Sequence, residues 1–106
     1  MSSSWRRFEV LLPLKLNDGQ PVPRKVLGEA VLEVVANFGA ASYETQRLQG
    51  YWRHGGEMFR DDLSRIVIDV PDNAKNRRWM KQFKERWKKR LEQLEIWMVS
   101  YRIEIE

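Results

Sequence analysis

Residues 63–94 read LSRIVIDVPDNAKNRRWMKQFKERWKKRLEQL, and two different periods meet within them. Ile66, Ile68 and Val70 alternate with Arg65, Val67 and Asp69, the two-residue period of a strand with one buried face. Pro71-Asp72-Asn73 ends that strand and offers Asp72 or Asn73 as a helix N-cap. Met80, Phe83, Trp87, Leu91 and Leu94 then recur at spacings of three and four, which predicts a helix over about Asn73 to Leu94 with a charged opposite face.

Before this unit, residues 42–53, SYETQRLQGYWR, are rich in strand-favouring residues but polar on both parities, which predicts an edge strand. His54-Gly55-Gly56-Glu57 is the turn that returns it to Leu63–Val70. Further upstream, Leu27, Val31, Val34, Val35 and Phe38 mark a helix from Pro23 to Phe38, stopped by Gly39 and carrying Glu29 and Glu33 on its outer face. From Arg7 to Leu16, Phe8, Val10, Leu12, Leu14 and Leu16 share one parity of a first strand. Pro13 cannot donate to a ladder, so an edge position, a bulge or a fraying end is expected there. The closing strand, Ile96 to Ile105, is read with Trp97, Val99, Tyr101, Ile103 and Ile105 toward the core and Met98, Ser100 and Arg102 away from it.

The order strand, helix, strand, strand, helix, strand predicts an α+β fold, a ferredoxin-like βαββαβ sandwich in one domain over 1–106. It has a four-stranded antiparallel sheet with both helices on one face. The other face of the sheet stays open, with Leu11, Val67 and Met98 as an apolar patch among Arg7, Glu9, Arg65, Asp69, Ser100 and Arg102.

Composition narrows the chemistry. A chain of 106 residues suits one core, and with no Cys and one His it cannot build thiolate nucleophiles, iron–sulfur clusters or the usual zinc sites. Asp61, Asp62, Asp69 and Asp72 lack the spacing of a hard-cation loop, so no metal is expected. The glycines form neither a dinucleotide fingerprint nor a phosphate loop, so no cofactor is expected. The N-terminus, Met1-Ser-Ser-Ser-Trp-Arg-Arg, has no secretory signal pattern and no apolar run is long enough to span a bilayer, so a cytoplasmic protein without membrane contact is expected.

Charge is segregated. Lys75 to Arg90 holds nine basic residues against Glu85 alone, a net +8 that leaves −4 on the rest of the chain. Arg77, Arg78, Lys81, Lys84, Lys88 and Lys89, spread along about 33 Å of helix, could follow a phosphate backbone, dock on an acidic protein, or simply form a solvated face. The expected open face lacks the aromatic platform of an RNA recognition motif, so nucleic acid would be met without base reading. A second candidate is the hairpin, where His54 with Glu57 or Asp61 could act as general base, against the plainer reading of a solvated turn. Trp87 and Trp97 read as packing residues, whereas Tyr51 and Trp52 sit on an edge strand where they could anchor an interface.

Gly50-Tyr-Trp-Arg53, the stretch Asp61 to Arg65, Ile66-Val-Ile-Asp-Val-Pro-Asp72, the helix carrying Phe83-Lys-Glu-Arg-Trp87 and a closing strand together resemble an uncharacterised family of small bacterial domains. Those domains have a Gly-x-Trp-Arg hairpin and a strand ending in Pro-Asp before an amphipathic helix, and the resemblance covers about residues 38–103. It implies a ferredoxin-like fold and a bacterial cytoplasmic setting, and it assigns no activity. The expected function is a non-enzymatic binding and assembly module, a homodimer or a small subunit of a larger complex, joined through the open sheet face or the edge strand by Leu11, Tyr51, Trp52, Val67 and Met98. The alternatives are a backbone-directed nucleic-acid binder through the basic helix and a small enzyme centred on His54.

Overall fold

A computed structural model describes residues 4–106. The reading of Met1 to Ser3 as part of a chain start without a secretory signal lies outside the described residues. The elements are β1 (Trp5–Pro13), α1 (Arg24–Phe38), β2 (Ser42–His54), β3 (Glu57–Pro71), α2 (Ala74–Arg90) and β4 (Met98–Ile103). The strands form one antiparallel sheet in the order β2-β3-β1-β4, with β2 and β4 at its edges. Phe8, Val10, Leu12, Ile66, Ile68 and Val70 face the helices and are buried against Leu27, Ala30 and Val34 of α1 and Met80, Phe83 and Trp87 of α2.

Local chemistry accounts for most boundaries. α1 stops at Gly39, whose φ of 88° supplies the left-handed cap, while Pro23 caps its start through its carbonyl rather than occupying the first turn. Asn73, not Asp72, caps α2, its Oδ1 accepting the Asn76 N–H at 2.8 Å. Gly55 and Gly56 both take positive φ, as a two-residue hairpin turn requires. Pro13 ends the central strand β1 past its pairing with β4, so its missing N–H breaks no ladder bond.

Three expectations are corrected. α2 ends at Arg90, four residues early: Glu92 takes φ 54°, and Glu92 N–H and Gln93 N–H return to the carbonyls of Lys89 and Lys88 in a Schellman turn without glycine. Leu94 is therefore 86% exposed and not part of the stripe. Glu29 and Glu33 do not face outward but bridge the helices: Glu33 accepts from Arg86 and from the Trp87 indole at 3.0 Å, and Glu29 accepts from Arg90.

The third correction concerns β4. Its register pairs Glu9 with Val99 and Arg7 with Tyr101, so Val99, Tyr101 and Ile103 lie on the open face, and Met98, Ser100 and Arg102 on the helix side. Trp97, assigned to the core, is 66% exposed, and Met98, assigned to the open patch, packs on the core margin. The physical reason is that two helices do not reach over the β4 edge. Polar Ser100 and Arg102 are tolerated on that side, and no helix among the described residues covers the apolar parity.

Candidate functional site

The open face is built from the parity of β1, β3 and β4 that looks away from the helices. At its centre, Arg7 binds Asp69 in a two-pronged contact at 2.7 and 2.9 Å, and Arg65 reaches Glu9 at 2.8 Å and Glu44 at 3.1 Å. The Tyr101 hydroxyl donates to the other Glu9 oxygen. That bond, followed by the Arg65 guanidinium, holds the Glu9 carboxyl below its ordinary range, and the same bond pushes the Tyr101 phenol up. Around the network lie Leu11 and Val67, the expected interface residues, together with Trp5, Val99 and Ile103, which the sequence reading left out.

The same face continues along a projecting arm. β1 ends opposite Leu63, so beyond that pair β2 and β3 run on as two strands alone to the Gly55-Gly56 turn, about 23 Å further. The radius of gyration, 14.7 Å, exceeds the roughly 13 Å of a compact domain of this length, and the arm accounts for the long axis of 50 Å. Trp52 and Phe59 are ladder partners stacked at 4.7 Å, and by alternation along β3 they share the open side with Leu63 and Val67. The Trp52 indole donates to Asp61 at 2.6 Å. Tyr51 is exposed on the opposite side of the arm.

The His54 cluster is at the tip. His54 and Glu57 face one another across the turn, and both are exposed. Among the described residues no side-chain hydrogen bond or ion pair joins His54 to Glu57 or Asp61, and Asp61 is engaged by Trp52. The remaining aspartates are dispersed as well. Asp62 meets Lys15, Arg47 and Arg60, Asp69 holds Arg7, and Asp72 serves a different purpose.

Asp72 is an arginine hub. Its side chain is 1% exposed and accepts from Arg6 at 3.0 Å, Arg77 at 2.8 Å and Arg102 at 3.3 Å, joining β1, α2 and β4 at one corner. The bonds from Arg6 and then Arg77 outweigh desolvation and pull its carboxyl from 3.8 to about 2. A carboxylate lowered in the folded state contributes stability above its unfolded pKa and loses it as pH falls through the folded one. Asp72→Asn is therefore expected to melt below the wild type at pH 7. In thermal scans between pH 7 and 2 the difference should shrink below pH 3.8, and a difference independent of pH would contradict the role assigned to this charge.

The basic helix is not a free cationic rod. Of its nine basic residues, Arg77, Lys84, Arg86, Lys88 and Arg90 each meet a carboxylate: Asp72, Glu95, Glu33, Glu85 with Glu95, and Glu29 in turn. Arg86 and Arg90 also lie over the Trp79 and Trp87 rings. Among the described residues, Lys75, Arg78, Lys81 and Lys89 make no ion pair within 4.0 Å. Of the expected polyanion set, Arg78, Lys81 and Lys89 remain available, whereas Arg77, Lys84 and Lys88 are engaged within the chain.

No family model matches the sequence, and no curated protein matches it. Solved structures do. A phage SAM lyase in complex with S-methyl-5′-thioadenosine superposes with a TM-score of 0.70 at 11% identity, covering 100% of this chain and 94% of that one. CutA1 from Oryza sativa gives 0.68 at 9% identity over 99% and 84% of the two chains. The divalent cation tolerance protein CutA1 from Thermus thermophilus gives 0.66 at 13% over 96% and 86%. At such identities the likeness is one of fold, and the fold is ferredoxin-like. Among the described residues no helix is long and apolar enough to cross a membrane.

Proposed function

We propose that this chain is a non-enzymatic assembly module that associates with further copies of itself through the open face of the sheet and the β2–β3 arm. The observation that carries this reading is the register of β4, which turns the more apolar parity of that strand away from the only helices found among the described residues. Two features agree with it. The charged side chains at the centre of the face, Arg7, Glu9, Arg65 and Asp69, each have a counter-ion within the chain, so covering that centre leaves none of them unpaired. A two-stranded ribbon is marginal alone in water, so an arm of this length with Trp52 and Phe59 on it gains order by lying against a neighbour. The proposal extends to a bacterial cytoplasmic setting among the Gly-x-Trp-Arg hairpin domains, supported by the absence of Cys and the resemblance over residues 38–103. Light scattering and native mass spectrometry are expected to show more than one copy per particle. A strict monomer at high concentration would overturn the reading.

A second reading is favoured by the full-length likeness to the phage SAM lyase and by the chemistry of the open face. Glu9 and Asp69, once released from Arg65 and Arg7, would offer carboxylates to a sulfonium cation, beside the rings of Tyr101 and Trp5 on the same side for an adenine. The module would then bind an adenosyl sulfonium or thioether compound on this face. Calorimetry with S-methyl-5′-thioadenosine, and chromatography of S-adenosylmethionine incubated with the protein, test it. Silence in both at millimolar ligand removes it.

A further inference from the structure

We propose that the cleft between α2 and β4 is a binding site for a small phosphate-bearing molecule of nucleotide size, with Lys81 as its principal cation. The site lies on the helix side of the sheet and does not rest on the self-association reading. It exists because β4 extends beyond the cover of the helices, leaving an opening of about 560 Å³ between the strand and the flank of α2. That volume lies in the usual range for small-molecule sites, roughly 300–1,000 Å³.

The lining has two characters. Phe8 and Met98 form an apolar floor, and the Met98 thioether is a soft surface for a flat ring. Arg77, Lys81 and Lys84 stand along one wall because spacings of four and three residues place them on one stripe of α2. Charge accounting identifies which of them is available. Lys84 is held by Glu95 at 2.9 Å, and Glu85 on the rim is balanced by Lys88 at 3.4 Å. Lys81 has no carboxylate within 4.0 Å among the described residues.

At one end of the cleft the Asp72 hub sets three guanidiniums against one carboxylate, an uncompensated positive surplus. Ser100 completes the set. Its oxygen accepts from Arg6 at 3.0 Å, which leaves the hydroxyl proton to donate into the cleft. An anion bridging Lys81, Ser100 and the Arg77 end would neutralise this surplus while its apolar body covers Phe8 and Met98.

The test is calorimetry at moderate salt with AMP, inorganic pyrophosphate and adenosine as probes, accompanied by the methyl NMR signal of Met98. AMP is expected to bind and shift that signal, and adenosine to bind at least about 10-fold more weakly, since hydrogen bonds to charged groups are the stronger class. Lys81→Glu should weaken AMP by about 10-fold or more with an unchanged circular dichroism spectrum. Lys75→Glu, which makes the same charge change on α2 outside the cleft, should alter affinity by less than about 2-fold. Equal losses in the two variants, adenosine binding as tightly as AMP, or no heat from AMP and pyrophosphate at millimolar concentration would each overturn the proposal.

Discussion

Phe83→Ala should remove about a third to a half of the fold's stability at 25 °C. The Phe83 ring is 0% exposed and lies between Trp79, stacked at 5.6 Å, and Trp87 at 6.1 Å, and Phe38 meets Trp79 edge-on at 5.0 Å. Truncation empties the middle of this aromatic row. Such a cavity costs about 3–5 kcal/mol, against total stabilities of roughly 5–15 kcal/mol for domains of this size. Trp79 and Trp87 also carry Arg86 and Arg90 above their outer faces, and those arginines pin Glu33 and Glu29 of α1, so the loss spreads to the seam between the helices. Urea unfolding should show the midpoint falling by about a third to a half for a stability in the middle of that range. Leu94→Ala is the matched comparison, expected to change stability by less than about 0.5 kcal/mol because the Schellman turn places Leu94 in solvent. A cost for Leu94 similar to that for Phe83 would mean that α2 continues past Arg90.

The order of elements was legible because alternation and the three-four stripe are strong signals wherever one face is buried and the other is not, as at Ile66, Ile68 and Val70 or at Met80, Phe83 and Trp87. The stop of α2 was hidden because Glu92 does the work usually given to glycine. The parity of β4 was misread for a more informative reason. Counting apolar residues assumes that a chain buries its own hydrophobic side, and Trp97, Val99, Tyr101 and Ile103 violate that assumption. Polar Ser100 and Arg102 beside a basic helix were the available signal, since Arg102 finds its acid in Asp72 on the helix side. Asp72 itself looked like a cap. Only the corner where three elements meet reveals it as an arginine hub, and no spacing in the sequence brings Arg6 and Arg102 together.

Val67→Lys is expected to dissociate the assembly while leaving the monomer folded. Val67 is half-buried on the open side of β3, flanked by Ser42 and directly opposite Glu9. In the free chain a lysine there reaches Glu9 and competes with Arg65, an exchange among partly exposed charges that costs little. Under a neighbouring copy water no longer reaches the site, so an ammonium takes the place of an apolar contact and has to share Glu9 with Arg65, which keeps Glu44. Burying an ammonium that has no carboxylate of its own costs about 3 kcal/mol, so self-association should weaken by roughly 100-fold. Sedimentation across a concentration series reads this directly. Leu32→Lys serves as the comparison, since Leu32 is an exposed apolar residue on α1, across the sheet from the proposed contact, and its replacement should leave the distribution unchanged. Trp52→Ala should loosen the assembly as well if the arm lies against a neighbour. If Val67→Lys matches the wild type in particle size while Leu32→Lys does not, the copies meet through the helices, and the uncovered parity of β4 needs another explanation.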